Sequence, residues 1–281
     1  MRNYFCGWYI KCQNDTQTVA FIAAYHIANN RKSCSLQIIS DDGAWNAEYP
    51  FEEFHMDENG VRIGPHVFTK KGCTLDVRKP GLEVQGQLTF GQFAPIAYDI
   101  MGPFKYIPFM ECRHSVFSMK HRVDGSLRIN GTDFAFENGN CYIEGDRGYS
   151  FPKEYLWTQC CFDEGSVMLS VADIPFCGIH FTGIISAIYF AGKEYRIATY
   201  LGARAVKIRD GEAVIRQGDK VLTVKRLEDK GKPLAAPVGG DMKRTIRESA
   251  ACRSYYRLEV KGETVFEFTS PMAAFEYEYP Q

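Results

Sequence analysis

Short apolar segments separated by Gly, Asn, Asp and Pro recur along the whole chain, and this pattern constrains the fold more than any other feature. Residues 82–90 show it most clearly, because apolar residues alternate with polar or small ones as in a half-buried strand. Asp124-Gly125 and Asn130-Gly131 lie between such segments and predict tight hairpins. Helical periodicity is nearly absent over long windows. The pattern therefore predicts an all-β barrel or sandwich.

The length of 281 residues is too great for one small barrel, so we expect two barrel-like halves, residues 1–140 and 141–281. The only helix that the sequence favours is a short one at residues 241–251, with Asp241 as its N-cap. The remaining strand candidates are residues 19–25, 34–39, 61–68, 73–77, 115–119, 126–129, 155–162, 166–172, 181–190, 194–200, 205–208, 213–216, 220–224, 255–260 and 264–268.

Charge and composition exclude several classes of partner. The formal net charge is −1 and no basic stripe is present, which argues against nucleic acid because phosphate binding needs a basic surplus. No apolar segment is long enough to span a bilayer, although transient contact with a membrane remains compatible with the sequence. Aromatic residues make up 14% of the chain, and they fit either a β-protein core or a lined pocket for an apolar ligand.

The ten cysteines and six histidines are scattered, without the paired short spacings that zinc sites use. The first residues lack the apolar core of a signal peptide, so we expect a cytoplasmic protein with reduced cysteines. Most of the cysteines then act as small buried hydrophobic residues. We therefore expect no metal and no disulfide framework.

The most unusual local sequence lies near the middle of the chain, at residues 142–152, which read Tyr-Ile-Glu-Gly-Asp-Arg-Gly-Tyr-Ser-Phe-Pro. Two carboxylates and a guanidinium stand among glycines, with aromatic residues on both sides. If the segment is a strand, Tyr142, Glu144 and Asp146 share one face because side chains alternate with a period of two. A carboxyl group buried against apolar surface has a raised pKa, so this segment is a candidate reaction site.

Several motifs, taken together in their order, resemble the tocopherol cyclase-like family. The Gly-Trp-Tyr-x-Lys opening, the Glu-Cys-x-His and Ser-Met-x-His segments, and the Tyr-x-Glu-x-Asp-x-Gly block all match, and the likeness runs from the N-terminus to about Ala203. A weaker match covers the segment that starts at Gly240. The matching positions are Gly7, Trp8, Tyr9, Lys11, Glu111, Cys112, His114, Ser118, Met119, His121, Tyr142, Glu144, Asp146, Gly148, Trp157 and Gln159.

The resemblance implies a fold of two lipocalin-like β domains, shared with bacterial carotenoid hydratases and some fungal Diels–Alder cyclases. It also implies closure of a chromanol ring on a prenylated hydroquinone, an isomerisation that needs no metal or redox cofactor. An acid protonates a trisubstituted alkene, and the neighbouring phenol oxygen attacks the resulting tertiary cation. The carotenoid hydratases also start by protonating an alkene, with water as the nucleophile.

The resemblance assigns roles to individual residues. It implies that Glu144 is the acid, that Tyr142 orients the acid or faces the cation, and that Asp146 supports them. His114 or His121 would deprotonate the phenol. Trp8 and Trp157 would stabilise the cation through their π faces. Glu111 and Gln159 lie in the same motifs and are expected to bind substrate.

Arg147 departs from the family pattern, in which many members carry tryptophan before the glycine. A guanidinium here could keep Glu144 or Asp146 ionised, and a salt-bridged Glu144 would be a poor acid. The three charged residues would then form a structural polar network between the two halves. The alternative function is a non-catalytic, lipocalin-type binder of an apolar isoprenoid or lipid, and a third possibility is an alkene hydratase.

Overall fold

The computed structural model describes residues 2–57, 60–108, 110–176 and 178–280, and most of these residues form β-strands. The described residues contain no α-helix and three short 3-10 helices, Phe51–Glu53, Gly102–Tyr106 and Thr199–Leu201. The all-β prediction is therefore confirmed. No helix in the described part of the chain is long and apolar enough to cross a membrane.

The first compact unit comprises Met1–Pro95, Glu111–Phe151 and Leu234–Thr245. Its antiparallel sheet has eleven strands in the spatial order 4-3-2-1-11-10-9-8-7-6-5. The strands are β1 (Tyr4–Gln13), β2 (Thr18–Ala28), β3 (Arg31–Ser40), β4 (Ala44–Tyr49), β5 (Phe54–Asp57), β6 (Gly60–Ile63), β7 (His66–Thr69), β8 (Gly72–Lys79), β9 (Leu82–Phe90), β10 (Cys112–Ile129) and β11 (Thr132–Gly148).

The second unit comprises Ile96–Met110, Pro152–Pro233 and Ile246–Gln281. Most of its residues form the other antiparallel sheet, which has ten strands in the order 15-14-13-12-21-20-18-17-16, with β19 paired to β20. Residues 234–238 of β19 and 241–245 of β20 are counted in the first unit. The strands are β12 (Tyr155–Phe162), β13 (Gly165–Phe176), β14 (Ile179–Phe190), β15 (Lys193–Ala198), β16 (Arg204–Arg209), β17 (Glu212–Gln217), β18 (Lys220–Arg226), β19 (Lys232–Val238), β20 (Asp241–Val260) and β21 (Glu263–Tyr277).

The units differ from the expected division at residues 140 and 141. Both positions lie inside β11, whose backbone pairs with β1 on one side and β10 on the other, so the strand cannot be divided there. Residues 141–151 therefore belong to the first unit. The chain also returns to the first unit at Leu234–Thr245, a segment that nothing in the local sequence marks.

Two local predictions were wrong for reasons of pairing. The expected helix at residues 241–251 is the first half of β20, in which Glu248 and Ser249 pair with β21, so tertiary pairing overrides the helix propensity of its alanines. Asp124-Gly125 is not a hairpin but an irregularity within β10, at a register shift opposite β11. A Cβ atom at Gly125 would lie 2.3 Å from the carbonyl oxygen of Gln87, which explains the glycine.

The predicted turn at Asn130-Gly131 is confirmed and creates the hairpin that organises the first unit. Asn130 and Gly131 have φ of 47° and 88°, the left-handed values that a two-residue turn between twisted strands requires. Residues Ile129 and Thr132 pair across the turn, and β10 and β11 then run together to Cys112 and Gly148.

The hydrophobic core of the first unit is built from one face of its sheet. On β1 the core includes Ile10 and Cys12, and on β11 it includes Cys141 and Ile143. Residues between them, such as Lys11 and Tyr142, point to the opposite face because strand side chains alternate. These two residues are nevertheless buried, so the sheet is covered on both faces along these strands.

Candidate active site

The candidate site lies on three neighbouring strands of the first unit, on the sheet face opposite its hydrophobic core. Tyr142, Glu144 and Asp146 follow one another at every second position of β11, as the sequence predicted. His114 on β10 is directly opposite Asp146 in the register. The hairpin therefore brings a histidine from 32 residues away next to Asp146, and the same ring also reaches Glu144.

These four side chains form one continuous chain of short contacts. The Tyr142 hydroxyl donates a hydrogen bond of 2.5 Å to Oε2 of Glu144. Nε2 of His114 lies 3.0 Å from the same oxygen, at ion-pair distance. Nδ1 of His114 lies 2.9 Å from Oδ1 of Asp146. Each nitrogen of the imidazole ring thus faces a different carboxylate.

Burial and charge together fix the protonation state of His114. Burial alone lowers the pKa of a histidine, but the Glu144 and Asp146 carboxylates outweigh it and raise the pKa of His114 well above its ordinary value. At neutral pH the ring is therefore an imidazolium, which donates from Nδ1 to Asp146 and forms an ion pair with Glu144 through Nε2. The side chains of His114 and Glu144 are 9% and 5% exposed, so this proton is held in a site largely shielded from solvent.

Cys112 borders the cluster on β10. Its Sγ donates to Oδ1 of Asp146 at 3.4 Å. Burial, and then the charge of Asp146, raise the pKa of the Cys112 thiol well above its usual range. Cys112 is therefore a thiol that donates to Asp146 and not a thiolate nucleophile.

Two further residues of this face, Tyr9 and Lys11, had no role in the sequence prediction. They lie on β1 directly opposite Glu144 and Tyr142, and Lys11 is only 1% exposed. Lysine is almost never this buried unless it is partnered. Both residues belong to the Gly-Trp-Tyr-x-Lys motif, and their spacing of two was the signal that could have identified them.

His121 lies on the other face of β10, away from Glu144. It is opposite Cys141 of the core, and its ring packs against Phe90 and Phe93 with centroids 5.2 and 4.5 Å apart. Its Nδ1 lies 2.9 Å from the Ser118 hydroxyl. Burial lowers the pKa of His121 to about 4, so the ring is neutral at pH 7.

Trp8 and Arg147 also lie on the face that carries the core. Trp8 packs against the core and against Phe117, with ring centroids 5.6 Å apart. Arg147 is exposed and alternates with Asp146, so its side chain leaves the sheet on the side opposite Glu144. The ion pairs of Glu144 and Asp146 are instead with His114.

The remaining predicted residues do not belong to β1, β10 or β11. Glu111 precedes β10, and its backbone carbonyl accepts hydrogen bonds from the backbone of Tyr149 and Ser150 at 2.9 and 3.3 Å. Trp157 and Gln159 are buried residues of β12 in the second unit. The Gln159 amide donates to Cys161 and Ser166 at 3.3 and 3.5 Å.

His114, Glu144 and Asp146 are also the type of residues that bind metals, and their nearest ligand atoms lie within 4.8 Å of one another. The two ring nitrogens, however, face different carboxylates on opposite sides of the imidazole. A single ion bound to one nitrogen could not reach both carboxylates without moving the ring. The arrangement suits the sharing of a proton better than the binding of an ion.

A scan against protein-family models finds no match for this sequence, and neither does a search of curated proteins. Solved structures do match. A protein assigned as AttH from Nitrosomonas europaea has a TM-score of 0.58 at 10% identity, covering 99% of this chain and 93% of that one. Kievitone hydratase from Nectria haematococca has a TM-score of 0.54 at 13% identity, covering 98% and 89%.

A third structure, CghA with Sch210972, has a TM-score of 0.60 at 10% identity and covers 98% of this chain and 88% of its own. All three similarities extend over nearly the whole of both chains. At these identities they show a common fold: two β-barrel or sandwich domains in one chain.

Proposed function

We propose that this protein is a cofactor-independent acid–base enzyme that protonates a carbon–carbon double bond of an apolar small molecule. One observation carries the proposal: Glu144 and His114 form a buried ion pair that Tyr142 and Asp146 hold from either end. Burial keeps this proton from exchanging with bulk water, and the bound substrate can receive it when it passes from His114 to Glu144.

The Glu144–His114 pair holds one transferable proton between Nε2 and Oε2, which lie 3.0 Å apart. In the ion-paired form the proton is on Nε2 of His114, and in the neutral form it is on Glu144. Glu144 is the donor to substrate, and His114 returns the proton to it. Asp146 fixes the orientation of the imidazole through Nδ1, so the proton that can move is the one facing Glu144.

Loss of this proton leaves the cluster more negative at the moment when the substrate becomes a carbocation. Two carboxylates then stand beside the developing positive charge, which is electrostatic stabilisation of the kind that lowers barriers most in buried sites. Tyr9 lies opposite Glu144 on β1 and offers an aromatic face close to the same position. These residues take the cation-stabilising role that the family resemblance gave to Trp8, because the side chain of Trp8 leaves the sheet on the other face.

For the substrate we propose a prenylated hydroquinone and ring closure to a chromanol, as in the tocopherol cyclase-like family. The alkene takes the proton from Glu144, and the phenol oxygen attacks the tertiary cation. The attacking phenol releases its own proton to the Glu144–His114 pair. Atoms and charges balance, because the reaction is an isomerisation and the pair ends each turnover as it began.

The experiment is to incubate purified protein with a prenylated hydroquinone in D2O and to identify products by mass spectrometry. We expect a chromanol that carries one deuterium at the former alkene carbon. Glu144→Gln should lower turnover about 10³-fold, since general acid catalysis contributes roughly 10²–10⁴-fold. Glu137→Gln, an exposed position on the same strand, is the matched control and should retain full turnover.

Full turnover by folded Glu144→Gln would overturn the proposed role of Glu144. Binding of the hydroquinone without conversion would instead favour the second candidate, a non-catalytic binder of an apolar ligand. A hydratase would incorporate ¹⁸O from labelled water, whereas ring closure would not. The ¹⁸O measurement is included because one protein with the same fold, kievitone hydratase, is a hydratase by name.

A further inference from the structure

The sheet face that carries Glu144 also carries a recess on the neighbouring strands β1, β2 and β3. Gly7 of β1 and Ile22 of β2 form its floor, and both are partly exposed. The residues around them on the same face are buried: Tyr9, Ala24, Ser35 and Gln37. Solvent therefore reaches the sheet between side chains that are covered, and this opening is the recess.

The segment that returns to the first unit, Leu234–Thr245, crosses this face beside the recess. The side-chain amide of Gln37 on β3 forms two hydrogen bonds of 3.1 Å with the backbone of Ala235. The backbone N–H of Gly239 donates to the Ser150 hydroxyl at 2.8 Å, just after β11. Because β2 and β1 lie between β3 and β11 in the sheet, the segment passes over these two strands.

His26 of β2 lies on this face with one ring nitrogen unused. The residue is 4% exposed, and its Nε2 lies 3.2 Å from the Ser35 hydroxyl. Ser35 is directly opposite Ala24, two residues from His26 towards the recess, so the ring leans in that direction. Among the described residues, Nδ1 of His26 has no hydrogen-bond partner. Since an unpaired buried polar atom is unfavourable, a ligand that supplies the partner would be held there.

The unused nitrogen suits a hydroxyl group. Burial lowers the pKa of His26 to about 4, although the charge of Asp241 acts in the opposite direction. Asp241 itself forms an ion pair with Lys243 at 2.7 Å. The ring is therefore neutral at pH 7, with one donor and one acceptor nitrogen. A phenolic hydroxyl both donates and accepts, so it can pair with Nδ1 in either tautomer.

We propose that His26 binds the distal hydroxyl of the hydroquinone, the one that does not attack the cation, and that Ser35 positions the ring. The identity of this ligand rests on the proposed function. Two strand spacings of about 4.8 Å and two residue steps of about 3.4 Å separate His26 from Asp146, roughly 12 Å between backbone positions. An aromatic ring with hydroxyl groups at opposite ends can cross this span over Gly7 and Ala24. The attacking hydroxyl and the prenyl group next to it then lie at the acid–base cluster.

The test is isothermal titration calorimetry with a prenylated hydroquinone and with the prenylated phenol that lacks the distal hydroxyl. The full Glu144→Gln chain is used, so that neither ligand is converted. We expect the hydroquinone to bind about 10-fold more tightly, the value of one hydrogen bond to a buried partner. Adding His26→Phe should remove this preference and leave phenol binding unchanged. His55→Phe, at a side chain 71% exposed on β5, is the matched control and should keep the preference.

Two further variants test the position of the ligand and the role of Ser35. Ile22→Phe fills the recess and should weaken both ligands about 10-fold or more, and unchanged affinities would overturn the proposal. Ser35→Ala removes the partner of the His26 ring and should reduce the preference several-fold without changing phenol binding. If His26→Phe does not fold, Ser35→Ala decides: an unchanged preference overturns the proposal. Equal affinity of Glu144→Gln for the two ligands, or no binding of either, also overturns it.

Turnover of the hydroquinone by the wild-type chain is measured separately. Turnover without a preference for the distal hydroxyl removes the role of His26 and leaves the proposed function standing. A preference that depends on His26, in a chain that does not convert the ligand, removes the proposed function and leaves the binding role standing.

Discussion

Two histidines of the same strand have opposite protonation states. His114 and His121 are both buried residues of β10. His114 faces two carboxylates on the polar side of the sheet, and its pKa is raised. His121 faces Phe90 and Phe93 on the core side, and its pKa falls to about 4. Burial is common to both, so the charged neighbours decide which histidine can take part in proton transfer.

The largest expected effect is on turnover, and it should follow one histidine only. His114→Gln removes the imidazolium that shares a proton with Glu144, and we expect turnover to fall about 10²–10³-fold. His121→Gln should retain turnover per folded molecule but unfold more easily, because it places an amide in an aromatic environment. The measurements are kcat on a prenylated hydroquinone and urea unfolding of each variant.

His55→Gln is the matched control, since the His55 side chain is 71% exposed on β5. It should change neither quantity. A loss of turnover in His121→Gln equal to that in His114→Gln, with both proteins folded, would contradict the assignment of the two faces.

The pH dependence of stability is the next effect, and its sign differs between the two residues. For His121 the folded pKa of about 4 lies below the unfolded value, so between roughly pH 6.5 and 4 only the unfolded chain takes up the proton. The free energy of unfolding should therefore fall on acidification through this window. We expect His121→Phe to reduce that fall by about 2 kcal/mol, measured by urea unfolding at pH 7 and pH 4.5.

His114 should act in the opposite sense. Its folded pKa is raised, so the stability it contributes is fully present below the unfolded pKa and is lost as pH rises through the folded pKa. His114→Gln should therefore lose stability relative to wild type at neutral pH, and the difference should shrink under alkaline conditions. His26 and His66 have pKa values lowered by burial to about 4, as His121 does, so single variants must be compared with wild type at each pH.

The pH–rate profile is expected to show the same raised pKa. Turnover requires the proton that His114 shares with Glu144, so kcat/KM should be steady near neutral pH and fall tenfold per pH unit above the pKa of His114. His114→Gln should lack this alkaline limb. A wild-type profile that falls already near pH 6.5, the ordinary pKa of histidine, would contradict the raised value.

Much of the site followed from strand alternation alone. A period of two along residues 142–146 was enough to put Tyr142, Glu144 and Asp146 on one face. The same rule places the side chain of Arg147 on the other face of the sheet. An ion pair between Arg147 and Glu144, which the sequence alone left open, is therefore not favoured by the alternation. Alternation likewise assigns Trp8 to the core side, once Ile10 and Cys12 are known to belong to the core.

The partner of Glu144 could not be chosen from the sequence, because it depends on register between distant strands. His114 and His121 were equal candidates only for the base that deprotonates the phenol, and neither was predicted to contact Glu144. The pairing of β10 with β11 passes two register shifts between these histidines. Bulges of this kind depend on the local fit of neighbouring strands, which a pattern of apolar residues does not encode. The helix expected at residues 241–251 was wrong for a related reason, since long-range pairing determined its conformation.

The smallest effect we predict concerns the other end of the contact chain, at Tyr142. Its hydroxyl donates to Glu144 Oε2, the oxygen that also faces His114, at a distance of 2.5 Å. Tyr142→Phe removes this donor without emptying the site, and we expect kcat to fall about 10-fold, the value of one hydrogen bond to a charged group. Tyr106→Phe, at a residue 78% exposed in the second unit, is the matched control.

Tyr142→Phe also separates two ways in which the tyrosine could act. If the hydroxyl only orients Glu144, the loss should be the same at every pH, because the shared proton still belongs to the Glu144–His114 pair. If the hydroxyl sets how readily that pair gives up its proton, the alkaline limb of kcat/KM should move to higher pH, since a carboxylate without this donor attracts the imidazolium proton more strongly. The second outcome would extend the acid–base unit from two residues to three, on the polar face alone.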